Sequence, residues 1–216
     1  MKAIVVAGGD AAADDAAHLA GADLVIAADS GAAWLSGIGV RPDLVIGDMD
    51  SIEPALLDRL AGEGSTIERY EPDKDQSDAE LAVDRAVEAG AGEVLILGAL
   101  GGERIDHELA NLLLLADRRW QGSRLRIVRG GTTVRALRSD GRLELEGGVG
   151  DFVTLLAVEA EAVGVRTVGL RFPLGGETLQ LGRPRGLSNQ VEHVPASVSL
   201  ERGTLLVIET RKERSR

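Results

Sequence analysis

Several residue types are missing or scarce in this 216-residue sequence, and each shortage excludes a class of function. There is no cysteine, which excludes disulfides, thiolate zinc sites and cysteine nucleophiles and is compatible with a reducing cytoplasm. Two tryptophans, one tyrosine and two phenylalanines are too few for a platform that stacks many bases. The formal net charge of −11 argues against a nucleic-acid or anionic-membrane surface. A phosphate-bearing substrate therefore needs a local device, such as a bound metal ion, to receive it.

Two further absences narrow the nucleotide-binding and membrane possibilities. The chain has neither a lysine-bearing P-loop nor a strict G-x-G-x-x-G motif, so both standard nucleotide motifs are missing. The apolar run near the N-terminus stops at Gly8 and is far too short for a signal or a membrane span. We therefore expect a cytoplasmic protein.

The order of apolar runs predicts two domains of different class. Over residues 1–130, β-like runs alternate with helical segments, as in a doubly wound, mostly parallel, Rossmann-like α/β sheet. One of these helices is expected from Asp106 to Trp120, with a buried leucine-rich face. Over residues 131–216 helical periodicity is lost, and short strands separated by glycine-bearing turns predict a small antiparallel β-sandwich.

The segment D-L-V-I-G-D-M-D-S, residues 43–51, joins a buried-strand pattern to a pair of carboxylates. Asp48 and Asp50 follow the strand at its carboxyl end, the edge at which open α/β sheets bind ligands. Two carboxylates about 4 Å apart repel by roughly 4 kcal/mol at an effective dielectric near 20, so the pair favours a bound cation. Oxygen-only ligands favour Mg²⁺. Taken alone, the segment fits equally well a polar turn in which Asp48 caps the next helix and Asp50 faces solvent.

Four acidic turns follow predicted strands in the first domain. Because the carboxyl ends of parallel strands share one edge of a sheet, we expect these separate turns to meet in space. A single acidic loop usually faces solvent, whereas four at one edge favour a metal site. Their carboxylates are Asp29, Asp48, Asp50, Asp73, Asp75, Asp78 and Asp106.

A glycine-rich turn follows the apolar run V-L-I-L and allows the backbone to approach a ligand closely. Arg104 supplies a forked donor for phosphate oxygens. His107 and Lys74 are further candidates for phosphate contacts. A histidine at the start of a helix is more often a cap or a surface group, and a solvated lysine fits the sequence equally well. The glycines of this turn are Gly98, Gly101 and Gly102.

Six segments of the chain form an ordered set of short motifs. In the first domain they are D-S-G, P-D-L-V-I-G-D-M-D-S, D-K-D-Q-S-D and G-G-E-R-I-D-H-E-L-A-N, at residues 29–31, 42–51, 73–78 and 101–111. In the second they are G-L-R-F-P-L and G-L-S-N, at residues 169–174 and 186–189. In order and layout the set resembles the thiamine pyrophosphokinase family over nearly the whole chain. Departures from the family's usual residues are Ser30, Met49 and Glu103, which is inserted before Arg104.

The resemblance implies transfer of a pyrophosphoryl group from ATP to the hydroxyethyl oxygen of thiamine, giving thiamine diphosphate and AMP. The alcohol attacks the β-phosphorus, so catalysis consists mostly of alignment and charge neutralisation. Asp29, Asp73 and Asp106 complete the site, and either Asp73 or Asp106 accepts the proton of the alcohol. Carried over by motif, the Mg²⁺ ligands are Asp48, Asp50, Asp78 and, as a further candidate, Asp75.

The resemblance also implies where the substrates bind. Domain 1–130 binds ATP and Mg²⁺ with Arg104 in a catalytic role, and domain 131–216 binds thiamine. Family members resemble homodimers with thiamine at the subunit interface, where Ser188 and Asn189 contact it; without the resemblance, these two residues indicate only a polar turn. The ATP and substrate contacts in the first domain are Asp29, Ser30, Lys74, Gly101, Gly102 and His107.

Two alternatives stay open. One keeps ATP as the donor and changes the acceptor to another alcohol, such as a hydroxymethyl-pterin. The other is a non-catalytic sensor that binds Mg-nucleotide, which is favoured if the inserted Glu103 displaces Arg104.

Overall fold

The chain divides into two compact units, Met1–Gly130 and Gly131–Arg216. The structure is a computed structural model that describes residues 1–212. The sequence predicts fraying for the charged tail 211–216. Positions 213–216 of this tail lie outside the described residues. Over residues 1–212, no helix has both the length and the apolar composition needed to cross a membrane.

Within residues 1–130, six strands form a parallel sheet. The strands are β1 (Lys2–Val6), β2 (Leu24–Ala28), β3 (Leu44–Gly47), β4 (Thr66–Arg69), β5 (Glu93–Leu97) and β6 (Arg124–Arg129). They lie in the order β6-β5-β1-β2-β3-β4, and every neighbouring pair runs parallel. After the first residue, every position of β1, β2, β3 and β5 is buried, as expected for a sheet covered on both faces.

Helices connect these strands. Ser77 caps the third helix, because its Oγ accepts a hydrogen bond from the backbone N–H of Glu80 at 3.2 Å. The alanine-rich segment Ala13–Leu19 forms a 3₁₀ helix, where fully buried Asp15 accepts a hydrogen bond from the backbone N–H of Gly130 at 2.7 Å. The α-helices are α1 (Gly31–Gly37), α2 (Pro54–Gly62), α3 (Asp78–Glu88) and α4 (Ile105–Leu114).

The prediction of a long helix over 106–120 with a buried leucine-rich face is wrong. The α-helix ends at Leu114, and a separate 3₁₀ turn follows. None of the described residues of α4 is buried, and Ile105, Leu109 and Leu113 are each more than half exposed. These three residues share one face of the helix because they are four positions apart. The leucine count of the segment therefore did not indicate burial.

Within residues 131–212, two antiparallel sheets contribute to one hydrophobic core. The strands are β7 (Thr132–Arg138), β8 (Gly141–Glu144), β9 (Phe152–Ala157), β10 (Glu161–Val168), β11 (Gly175–Gln180), β12 (Asn189–Gln190), β13 (Ser197–Leu200) and β14 (Thr204–Thr210). They lie in the orders β12-β9-β14-β7 and β11-β10-β13-β8. Buried Val153 and Val207 from the first order pack in one cluster with Val165 and Val198 from the second.

Candidate active site

Three of the predicted acidic turns meet at the carboxyl edge of the parallel sheet. Asp29 follows β2, Asp48 follows β3, and Asp78 begins α3, the helix after β4. One carboxylate oxygen of each residue lies within 4.8 Å of the other two. We call these three residues the carboxylate cluster. Its spacing and oxygen-only donors fit a single hard divalent cation such as Mg²⁺.

The backbone after β3 is shaped so that the cluster can form. Gly47 has a φ of +148°, and a Cβ atom there would lie 3.2 Å from Asp78 Cγ and 3.3 Å from Asp29 Cβ. Glycine therefore leaves the room that the two carboxylates occupy. Met49 also has a positive φ, 68°, and its 5% exposed side chain packs in the hydrophobic core of the first unit. The buried side chain of Met49 thus fixes the turn that carries Asp48 to the core.

The surroundings of Asp29 raise the pKa of its carboxyl group. Burial is the largest effect on its pKa and raises it; the hydrogen bond from Ser51 Oγ opposes this, and the charges of Asp78 and Asp48 raise the pKa further. Among residues 1–212, no hydrogen-bond donor reaches Asp29 Oδ1, although that oxygen is buried. Buried polar atoms normally have a partner, so this oxygen indicates a place for a positive ligand.

The loop before α3 explains why only one of its three predicted carboxylates joins the cluster. Exposure alternates along this loop, so that Lys74, Gln76 and Asp78 are partly buried while Asp73 and Asp75 are exposed. Asp73 and Asp75 therefore lie outside the cluster, and neither lines the neighbouring cavity.

Lys74 brings a positive charge to the carboxylate cluster. Its Nζ lies 3.2 Å from Asp78 Oδ1 and 3.9 Å from Asp48 Oδ2, and its side chain is 16% exposed. Asp50 sits beside the cluster but is exposed, and its backbone N–H donates to Asp48 Oδ1 at 3.1 Å. The charge of Asp48 is the main reason that the pKa of Asp50 is raised. Asp50 is therefore a neighbour of the cluster and not a member of it.

Arg104 is engaged by a carboxylate two residues further along the chain. Its Nε and a terminal nitrogen donate to the two carboxylate oxygens of Asp106 at 2.9 and 2.5 Å. This bidentate pair lowers the pKa of Asp106 to about 2 and raises the pKa of Arg104. Both side chains are more than half exposed, and Arg104 lines the cavity together with Glu103. The inserted Glu103 therefore does not remove Arg104 from the cavity, although a phosphate would compete with Asp106 for it.

A cavity of about 450 Å³ opens beside the carboxylate cluster. This volume lies in the range of small-molecule sites. Gly101 has a φ of +82°, and a Cβ atom there would lie 2.7 Å from the guanidinium of Arg129, so glycine lets the turn rest on that side chain. Besides Asp29 and Asp78, the cavity lining includes Gly8, Gly9, Ser30, Lys74, Gly98, Gly101, Gly102, Arg104 and His107.

Three residues of this site were not singled out from the sequence. Ser51 Oγ donates to Asp29 Oδ2, Asn111 Nδ2 donates to the carbonyl of Ala99 at 2.9 Å, and Arg129 lies under Gly101. Ser51 and Asn111 end two of the segments quoted for the family resemblance, so membership of those segments was a usable signal. Arg129 ends β6 and carried no such signal.

In the second unit, Ser188 and Asn189 have different surroundings. Asn189 is 7% exposed; its Oδ1 accepts hydrogen bonds from the N–H groups of Phe172 at 3.0 Å and Gln190 at 2.9 Å. Its Nδ2 donates to the carbonyl of Phe172 at 2.6 Å. Ser188 is exposed with a φ of 56°, and its N–H donates to Thr154 Oγ1 at 3.0 Å. The amide of Asn189 thus holds backbone, while Ser188 faces outward.

A carboxylate cluster beside a glycine-lined cavity, at the carboxyl edge of a parallel α/β sheet, is typical of enzymes that transfer phosphoryl groups from nucleotides. A family model described as "Thiamin pyrophosphokinase, catalytic domain" matches residues 16–129. A second, "Thiamin pyrophosphokinase, vitamin B1 binding domain", matches residues 142–205. The chain therefore belongs to the thiamin pyrophosphokinase family.

Individual relatives agree with this family. A thiamine pyrophosphokinase of Bacillus subtilis (strain 168) is 27% identical over 186 residues, which cover 86% of each chain. Thiamine pyrophosphokinase 1 of Oryza sativa subsp. japonica is 26% identical over 180 residues, 79% of this chain and 67% of that protein. A crystal structure of thiamine pyrophosphokinase from Bacillus subtilis superposes with a TM-score of 0.88 at 25% identity, covering 99% of this chain and 100% of that one. These relatives favour neither the pterin-type acceptor nor the non-catalytic sensor.

Proposed function

We propose that this protein transfers the pyrophosphoryl group of ATP to the hydroxyl of thiamine, giving thiamine diphosphate and AMP. The observation that carries the proposal is the carboxylate cluster, three carboxylates with oxygens within 4.8 Å of one another, of which Asp29 and Asp78 line a cavity of about 450 Å³. In this proposal residues 1–130 form the catalytic domain that binds ATP and metal, and residues 131–216 form the domain that binds thiamine.

The finer description of the fold belongs to the same proposal. In the sheet, β2, β3 and β4 follow one another on one side of β1, and β5 and β6 lie on its other side. Such a reversal of strand order is where open α/β sheets place their ligand crevice. It supports a doubly wound, Rossmann-like assignment for the first domain, and the shared core of the two antiparallel sheets supports a β-sandwich for the second.

We propose Mg²⁺ as the metal. Asp29, Asp48 and Asp78 would hold it, and the buried Asp29 Oδ1, which has no hydrogen-bond donor among the described residues, supports this assignment. When bound, Mg²⁺ neutralises phosphate oxygens and helps to align them. Asp50 is the next candidate ligand, because its backbone N–H donates to Asp48 Oδ1 beside the cluster. Asp75 is the weakest candidate, because it is exposed and lies outside the cluster.

The chain's own groups would position the triphosphate for in-line attack. The turns at Gly98 and Gly101 let backbone N–H groups approach phosphate oxygens, while Lys74 and Arg104 offer positive charge from the cavity wall. Asp106 has a pKa of about 2, far below neutral pH, which makes it a weak proton acceptor. We therefore assign the rate mainly to alignment and charge neutralisation, with Asp106 holding Arg104 in place.

The thiamine side of the proposal rests on the second domain. Ser188 is exposed, and Asn189 hydrogen-bonds to the backbone of Phe172, a residue that is 53% exposed. We propose a homodimer in which thiamine lies at the subunit interface against this region. The cytoplasmic location expected from the sequence stays a prediction.

The reaction itself is the first test. Purified protein is incubated with ATP, Mg²⁺ and thiamine, and the products are separated by ion-pair chromatography; we expect AMP and thiamine diphosphate in equal amounts. Asp48→Asn should abolish turnover while leaving the unfolding midpoint nearly unchanged. Asp58→Asn, at an exposed position on α2, is the matched control and should stay active. ADP with thiamine monophosphate, or full activity in Asp48→Asn, would contradict the proposal.

A further inference from the structure

Lys74 occupies an unusual position for a lysine. The chain has only three lysines, at positions 2, 74 and 212, against a net charge of −11. Lysine ammonium groups normally extend into water, yet the Lys74 side chain is 16% exposed. It lies in the loop before α3, four residues ahead of Asp78, on the partly buried side of that loop. The loop therefore directs an ammonium group inward, to the carboxylate cluster.

Lys74 pairs with the oxygens that a metal would need. Its Nζ lies 3.2 Å from Asp78 Oδ1 and 3.9 Å from Asp48 Oδ2. Across residues 1–212, the ion pairs found for these two carboxylates are both with Lys74. Lys74 thus pairs with two of the three carboxylates, which leaves the cluster with an excess of negative charge.

The same side chain also faces the ligand cavity. Lys74 lines the cavity together with Asp29 and Asp78, so a short rotation of its flexible four-carbon stem can move the ammonium between carboxylates and a bound phosphate. In its present position Nζ also lies 3.3 Å from the backbone carbonyl of Glu71. These contacts make two alternative partners available to one charge: the carboxylates of the cluster, or an anionic ligand beside it.

We propose that Lys74 is a positioning residue that competes with the divalent cation for Asp48 and Asp78, and that it moves to phosphate oxygens when the cation and the nucleotide bind together. This inference rests on the proposed function, because it requires the cluster to be a metal site. It has a thermodynamic consequence. Nucleotide that draws the ammonium away from the carboxylates must tighten divalent-cation binding, and by reciprocity the cation must tighten nucleotide binding by the same factor.

The test measures metal affinity in the absence of nucleotide. Mn²⁺, which shares oxygen ligands with Mg²⁺, is titrated into the full chain, and free Mn²⁺ is followed by electron paramagnetic resonance. Lys74→Met keeps the length of the stem and removes the charge; we expect it to bind Mn²⁺ tighter by roughly tenfold, because a unit charge within 4 Å of the ligands is lost. Lys74→Arg restores a positive charge and should return the affinity toward wild type. Lys2→Met controls for net charge, since the Nζ of Lys2 donates to the carbonyl of His18, and it should change the Mn²⁺ affinity less than twofold.

The direction of the change separates the possible roles of Lys74. A lysine that only supports the fold, or only contacts phosphate, would give unchanged or weaker Mn²⁺ binding in Lys74→Met, and either result would overturn the inference. Binding by Lys74→Met alone, with none by wild type, would support it strongly. If neither protein binds Mn²⁺ without nucleotide, the competition proposed here is refuted.

Failure of the proposed metal site would look different. Asp48→Asn should lose Mn²⁺ binding; if it binds as well as wild type, the cluster is not the metal site and the proposed function loses its main support. A second measurement reports on the lysine directly. Reductive ¹³C-methylation labels the lysines and the terminal amine, and the Lys74 resonance, assigned by its absence in Lys74→Met, should shift when Mg²⁺ and a non-hydrolysable ATP analogue are added together. An unmoved resonance in a complex that binds both ligands would contradict the predicted movement.

Discussion

Replacing Asp29 by asparagine should make the metal-free protein more stable. Asp29 lies within 4.8 Å of two other carboxylates, and one of its oxygens is buried without a hydrogen-bond donor among residues 1–212. A separation of 4.8 Å at an effective dielectric near 20 corresponds to a repulsion of about 3.5 kcal/mol from each neighbour. Lys74 offsets much of this, since it pairs with both neighbours. We therefore expect a net gain of about 1 kcal/mol, or about 2–4 °C in Tm for a chain of this size.

The gain should depend on pH in a defined direction. The folded state raises the pKa of Asp29, so the folded protein holds this proton more tightly than the unfolded chain does. The charge of Asp29 therefore destabilises the folded protein fully at neutral pH. This destabilisation is relieved as the pH falls through the pKa that Asp29 has in the folded protein, which lies above the ordinary value of 3.8. The advantage of Asp29→Asn should accordingly shrink as pH is lowered toward 4. Asparagine also tolerates the positive φ of this position, 47°, and can still accept the hydrogen bond from Ser51.

Urea unfolding in EDTA and in Mg²⁺ provides the assay. In EDTA at pH 7, Asp29→Asn should unfold at higher urea than wild type, whereas Asp58→Asn should not. Added Mg²⁺ stabilises a protein that binds it by about 2.7 kcal/mol at a hundred times the dissociation constant, and the variant should lose most of this increment. A variant that is less stable than wild type in EDTA at pH 7 would show that Asp29 is satisfied in the folded protein, and the reasoning would be refuted.

Three further predictions concern other parts of the two units. Gly47→Ala places a methyl group against two carboxylates of the cluster and should lower kcat by about 100-fold, measured under saturating substrates. Asn189→Ala leaves the N–H and carbonyl of Phe172 without their side-chain partner; we expect a loss of about 1–3 kcal/mol in urea unfolding and a higher KM for thiamine with the KM for ATP unchanged. The Arg104–Asp106 pair lowers the pKa of Asp106 from an ordinary 3.8 to about 2. The pair therefore stabilises the folded protein above about pH 4, and this contribution is lost as the pH falls toward 2. In Asp106→Asn the unfolding midpoint should accordingly depend less on pH over that range. Equal slopes for wild type and variant would argue against this pair in solution.

Much of the first unit could be predicted from the sequence, because its determinants are local. Apolar runs that end in glycine or aspartate predicted the strands, and the rule that parallel strands share a carboxyl edge predicted that the four acidic turns would meet, as three of them do at Asp29, Asp48 and Asp78. A capping serine such as Ser77 depends in the same way on residues close to it along the chain, since its Oγ accepts from the N–H three positions on. In each case a few consecutive residues, together with one rule of sheet geometry, were enough.

The parts that could not be predicted depend on tertiary contacts. The leucine-rich face of α4 is exposed although its composition favours burial, since a helix buries its apolar face only where another element covers it. The sequence presents Asp73, Asp75 and Asp78 as equals, and only the folded structure shows that the first two are exposed while the third is partly buried at the start of α3. The buried amide of Asn189 is another case, because its partners at Phe172 lie seventeen residues away along the chain.

The side chain of Met49 gives the proposed metal site a mechanical link to the interior. A residue with positive φ between two acidic positions would ordinarily belong to a mobile surface turn, yet this one is fixed by packing among the buried residues of the first unit. Repacking that interior, for instance at Leu57 or Ile52 in the same cluster, should therefore change divalent-cation affinity without altering any ligand. Substitutions of buried residues therefore offer natural variation and protein design a way to change the cation affinity of the proposed metal site.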